Sequence, residues 1–152
     1  MAHTGCGCPG SMARVIERVE SAPAEATGKA PSELRQWPVQ LHLVPPTAPW
    51  FQNSDILVAA DCVAFALGSF HADLLKGKAL AIACPKLDNT APYVEKLATI
   101  LKENEVKSLT IAIMEVPCCR GLDVLVRQAL ELSGKNVPVE TVIIGVNGER
   151  RN

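Results

Sequence analysis

Apolar positions in the chain follow two rhythms. Five short continuous apolar runs, Val39 to Val44, Ile56 to Ala60, Ala79 to Ala83, Ser108 to Met114 and Val139 to Ile144, read as strands buried on both faces. Between them the spacing turns helical. Val63 to Leu75 is helix-like but interrupted by Gly68, with Phe65, Phe70 and Leu74 as its packing residues. A second helix starts within Asp88-Asn89-Thr90-Ala91-Pro92, sets Val94, Leu97, Ala98 and Leu101 inward, and reaches about Asn104. A third buries Leu122, Leu125, Val126, Ala129 and Leu132 and ends at Gly134. Residues 45–54, opened by Pro45-Pro46, are too few for a crossover helix and predict a single turn or an irregular loop. Strands alternating with helices predict a three-layer α/β domain with a mostly parallel sheet of about five strands.

The first 32 residues do not share this rhythm. Residues 1–11 alternate cysteine with glycine and close on Pro9-Gly10, which favours neither helix nor strand. Ser11 is positioned to cap a short helix through Glu20, with Met12, Val15, Ile16 and Val19 on one face. Ser21 to Ser32, rich in Ala and Pro, reads as a linker. Residues 1–32 are therefore an arm and linker, and 33–152 the main domain, whose order of elements is Rossmann-like. With 152 residues and 48% apolar content, there is enough chain for a real core without staples.

Charge excludes some classes of function. A net charge of -1, from 15 basic and 16 acidic residues, gives no electrostatic case for nucleic acid or an anionic membrane. No run has the apolar length of a membrane span, and Met1 to Gly10 lacks the segments of a secretory signal, so the expectation is a cytoplasmic protein. In a reducing compartment, six cysteines point to metal binding or redox chemistry more than to disulfides.

The placement of those cysteines carries the functional signal. Cys62, Cys84, Cys118 and Cys119 each follow a strand end, and parallel strands put all such ends on one edge. Cys6 and Cys8 could join from the arm. Thiolates at helix N-termini bind soft metals, Arg120 adds a positive charge, and an iron-sulfur cluster needs about four thiolates in an apolar surround. His71 is a further candidate, as ligand or as donor to sulfur, against the plainer reading of a surface or satisfied histidine. His42 reads as a packed or edge residue, His3 as a flexible one, and Trp37 and Trp50 as core or rim packing. Asp61 and Glu115 flank the edge. The spacing matches no zinc ribbon, no bacterial ferredoxin and no phosphate-binding glycine loop. Three alternatives stay open: cysteines serving as small buried hydrophobes, a zinc-stabilised interaction module, and a metal-free thiol or persulfide enzyme.

Several stretches carry a family resemblance. Leu34-Arg35-Gln36-Trp37-Pro38-Val39-Gln40-Leu41, Ala60-Asp61-Cys62-Val63-Ala64, Gly77-Lys78-Ala79, Cys84-Pro85-Lys86-Leu87-Asp88, Met114-Glu115-Val116-Pro117-Cys118-Cys119 and Cys8-Pro9-Gly10-Ser11 resemble a domain of anaerobic prokaryotes. That domain typically follows a ferredoxin-like 4Fe-4S domain in iron-sulfur-binding proteins, whose cysteine set is missing from this chain. The likeness covers most of residues 8–146. The resemblance implies an iron-sulfur protein of anaerobic redox metabolism, with Cys62, Cys84, Cys118 and Cys119 as ligands.

The expectation is therefore a [4Fe-4S] cluster, or an unusual or second one given six thiols, held at the carboxyl edge for electron transfer. Metal ligands would come from Cys62, Cys84, Cys118, Cys119, Cys6 and Cys8, with Arg120 and His71 contacting the cofactor. A redox partner protein is implied, a homodimer is plausible, and an open iron site would make the chain an enzyme.

Overall fold

The structure is a computed structural model and describes residues 9–18 and 28–152. Its centre is a four-stranded parallel sheet of β3 (Asp55–Ala60), β4 (Lys78–Ala83), β5 (Ser108–Met114) and β6 (Val139–Ile144), in the order β4-β3-β5-β6. Each strand coincides with a predicted apolar run. Leu57, Val58, Ile111 and Ala112 on the two middle strands are fully buried, because elements cover both faces of the sheet.

Chain order decides which element covers which face. From β3 the connection to β4 runs through α1 (Val63–Ala66) and a π-helical turn at His71–Leu75. From β4 the chain crosses back over β3 through α2 (Tyr93–Glu103) to reach β5, then continues through α3 (Arg120–Ser133) to β6. Right-handed crossovers in opposite directions put α1 on one face and α2 with α3 on the other. The direction reverses between β3 and β5, and that reversal is where open α/β sheets form their ligand crevice.

Four sequence expectations need correction. The sheet has four strands, because Val39 to Val44 pairs with β4 at a single bridge, Gln40 to Ile82, and then turns, with Leu43 N–H and Val44 N–H both donating to Gln40 O. The predicted helix from Ser11 is instead a 3-10 turn at Pro9–Ser11 followed by β1 (Arg14–Val15), antiparallel to β2 (Gln36–Trp37). β-branched Val15 and Ile16 suit that extended path, and Val19 and Glu20 lie outside the described residues. Val63 to Leu75 is interrupted around Gly68 as expected, α1 stopping after a single turn and a π-helical turn following at His71–Leu75. Phe65 consequently faces solvent, at 93% exposure, while Phe70 and Leu74 are buried as expected. In α3 the buried stripe is Leu122, Val126, Ala129 and Ser133, which leaves Leu132 outside it and exposed.

Both edges of the sheet are closed by side-chain amides. On β4, Gln36 is buried, its Oε1 accepting Leu80 N–H at 2.8 Å and its Nε2 donating to Leu80 O at 2.8 Å. One rung further along, Leu41 N–H donates to Ile82 O, and Ile82 N–H donates to Val39 O. On β6, Asn152 Oδ1 accepts Ile143 N–H at 3.0 Å and Nδ2 donates to Thr141 O at 2.7 Å. Arg151 N–H completes that edge by donating to Ile143 O. Among the described residues, no helix is long and apolar enough to cross a membrane.

Candidate functional site

Strand register brings the cysteine loops together. Ala60 pairs with Ala83, so Asp61-Cys62 and Cys84 leave adjacent strands at the same level, and Asp61 N–H donates to Ala83 O at 3.2 Å. On the other side of β3, Ala59 pairs with Ala112, which sets the end of β5 level with Cys62. β5 then runs through Glu115 and Val116 into a 3-10 turn at Pro117–Cys119 that opens α3. Cys62 and the Cys118-Cys119 pair therefore flank the crevice between β3 and β5, with Cys84 one strand away.

The loops also touch across β3. A Cβ at Gly121 would stand 3.2 Å from Pro85 Cβ, so glycine there lets the Cys84-Pro85 loop close on the start of α3. Four free thiols gather at this edge: Cys119 is buried, Cys84 half-buried, Cys62 and Cys118 exposed. The 3-10 turn separates the adjacent pair, one inward and one outward, yet their side chains remain within hydrogen-bonding reach. Burial pushes the Cys119 thiol above its ordinary value, against a lowering backbone hydrogen bond at Met114, and the neighbouring Cys118 and Cys62 push it further. Without a cation the inner thiol is held protonated; a bound metal reverses that balance.

Polar groups support the Cys84 side. Asp88 Oδ2 accepts both Cys84 N–H at 3.0 Å and the Tyr93 hydroxyl at 2.7 Å, and Asp88 N–H closes the turn on Cys84 O. Burial, then the hydrogen bond to Asp88, raises the Tyr93 phenol well above its usual range. Asp61 is raised by burial and by the Asp88 charge, opposed by a hydrogen bond from Gln40, and its Oδ1 is buried without a partner. Glu115 is turned the other way, toward Val146 N–H at 3.3 Å and Arg151 at 2.9 Å.

Beside Asp61, on the α1 face, is an apolar pocket of about 230 Å³ lined in part by Trp37, Phe65 and His71. His71 Nδ1 accepts Glu33 N–H at 3.0 Å, which ties residues 30–34 to the π-helical turn. Trp37 Nε1 donates to Gly10 O at 2.6 Å and so anchors the Pro9–Ser11 turn near the same pocket. His42 is exposed, Trp50 is half-buried and tilted against Phe51, and Arg120 is exposed at the head of α3. Cys6, Cys8 and His3 lie outside the described residues.

The donor chemistry fits a thiolate-bound metal group. Four thiols share one edge and the inner one lies in a partly apolar wall, while the amides of Cys119 and Arg120 at the head of α3 donate to Val116 O and Pro117 O within the 3-10 turn. Among the described residues, no three His, Cys, Asp or Glu side chains stand close enough to hold a metal as they are placed. Binding at this edge therefore requires the exposed Cys62 and Cys118 side chains to turn inward, or ligands from outside the described residues. Sequence reading missed Asp88, Tyr93 and Gln40, whose roles depend on a turn and on a strand edge.

The class defined so far is a small parallel α/β domain with cysteines at its switch point. Residues 48–151 match the Rossmann-like domain family, and the chain belongs to it. It is 36% identical, over 116 residues, to an uncharacterized protein of Archaeoglobus fulgidus, a match covering 76% of this chain and 81% of that protein. No solved structure matches.

Proposed function

We propose that the chain is an iron-sulfur protein of redox metabolism, its cluster held at the carboxyl edge by Cys62, Cys84, Cys118 and Cys119, with Cys6 and Cys8 of the arm as additional thiols. The observation that carries the reading is the placement of Cys62, Cys84, Cys118 and Cys119 on loops that leave the same edge of the sheet around the crevice between β3 and β5. When bound, a cluster supplies one-electron transfer at a potential set by its surroundings. The chain's own contributions are an apolar wall against water and the Asp88 turn holding the Cys84 loop.

The test is anaerobic purification with iron and acid-labile sulfide analysis and EPR of the reduced protein. Iron and sulfide in equal amounts, halved or worse by Cys119→Ser, support the reading. Colourless protein that takes up no iron on reconstitution sinks it, and stoichiometric zinc without sulfide assigns the edge to a structural site.

A further inference from the structure

Leu80 and Ile82 of β4, Ala59 of β3 and Asp61 just beyond it border the pocket of about 230 Å³ on the α1 face. Three aromatic side chains join them: Trp37, Phe70 and Phe65, the last standing 93% exposed. Phe70 meets the His71 ring edge-on, with ring centres 5.8 Å apart. His71 opens the π-helical turn, a backbone form that recurs at functional sites.

The pocket holds a single charge, and that charge is negative. Among the described residues no Lys or Arg lines it, and Asp61 is its one carboxylate. His71 contributes no positive charge, because its Nδ1 accepts Glu33 N–H and so carries no proton. Nothing in the fold neutralises Asp61: it takes a hydrogen bond from the uncharged Gln40 amide, and its Oδ1 is buried with no partner. Asp88, close enough to act on Asp61 through its charge, is also met by uncharged donors, Cys84 N–H and the Tyr93 hydroxyl. A buried acceptor without a donor is costly, and a carboxylate beside apolar walls calls for a cation.

We propose that this pocket binds a small organic amine in its ammonium form, the charged end against Asp61 and the apolar body between Trp37, Phe65 and Phe70. Carboxylate and aromatic faces both attract an ammonium group, and the attraction strengthens as water is excluded. At about 30 Å³ for each water-sized group, the volume suits a ligand of roughly eight non-hydrogen atoms. No cysteine lines the pocket among the described residues, so the inference stands apart from the cluster reading.

The experiment titrates benzylamine, benzyl alcohol and benzoate into full-length protein near neutral pH and follows the Trp37 indole N–H by NMR. Benzylamine should give a saturable shift, the uncharged alcohol of the same shape should bind about tenfold more weakly, and benzoate should not bind. Asp61→Asn should weaken the amine about tenfold, leave the alcohol unchanged and so close the gap between them. Phe65→Ser should weaken both ligands and, because Phe65 is exposed, unfold at the wild-type temperature. Leu87→Ser, exposed but outside the pocket, should leave both unchanged. Equal binding of amine and alcohol overturns the proposal, as does an amine preference that survives Asp61→Asn. No saturable shift with benzylamine, or equal weakening by Leu87→Ser, overturns it too. The amine-to-alcohol ratio in wild-type protein needs no variant and decides the matter even where Asp61→Asn does not fold.

Discussion

Glu115 and Cys119 belong to the same strand-to-helix passage, and their neighbours push them in opposite directions. Val146 N–H, then Arg151, hold the Glu115 carboxyl below its ordinary 4.5. A carboxyl depressed in the folded state adds stability that is present above 4.5 and is lost as pH falls through its lower native value. Carbon-detected NMR titration should find Glu115 below 4.5, and Arg151→Ala should move it upward. Cys119 has no cation to offset its burial, so its thiol should resist alkylation in metal-free protein while the exposed Cys62 and Cys118 react. Mass spectrometry after limited iodoacetamide treatment reads the order directly, and fastest labelling at Cys119 would contradict it.

Helices and strands were legible where a long apolar period met nothing that competed with it. β3, β4, β5, β6, α2 and α3 all fall on predicted stretches, because burial on both faces leaves continuous apolar runs in the strands and a stripe in the helices. Val39 to Val44 misled because its composition suits a strand, but the chain turns at Gln40 after one rung. What completes that edge is a glutamine side chain acting in place of backbone, and no periodicity encodes it. The cysteine loops were legible from their positions after strand ends, whereas the Asp88 turn and the Gly121 to Pro85 contact emerge only from how neighbouring loops pack.

Two substitutions test these local devices. Gln36→Leu keeps the volume but strands the N–H and C=O of Leu80 in the interior, and should cost about 3 kcal/mol in chemical denaturation. Gly148 has φ 88° and faces Ala66 O, so Gly148→Ala combines backbone strain with a clash and should cost about 2–3 kcal/mol. Gly134, at φ 68° with open space around it, carries the strain alone, and its alanine variant should cost about 1 kcal/mol. Equal losses for the two glycines would mean that the β6 loop does not press on α1.

The molecule as a whole separates a stable end from a working end. Its amino edge starts the strands, and its carboxyl edge gathers the thiols and the exposed side chains of Phe65, Leu87 and Val146. The amides of Gln36 and Asn152 bear on how this body can assemble. An open sheet usually offers its outermost strands to a neighbour, and two copies can join simply by zipping backbone to backbone. Here Leu80, Thr141 and Ile143 already have their outward-facing groups occupied by amides from the same chain. Continuing the sheet into a second molecule would require evicting a glutamine or an asparagine first. The chain is thus protected from ribbon-like aggregation, and association with any other protein is directed away from its flanks, toward its helices or its cysteine-bearing rim.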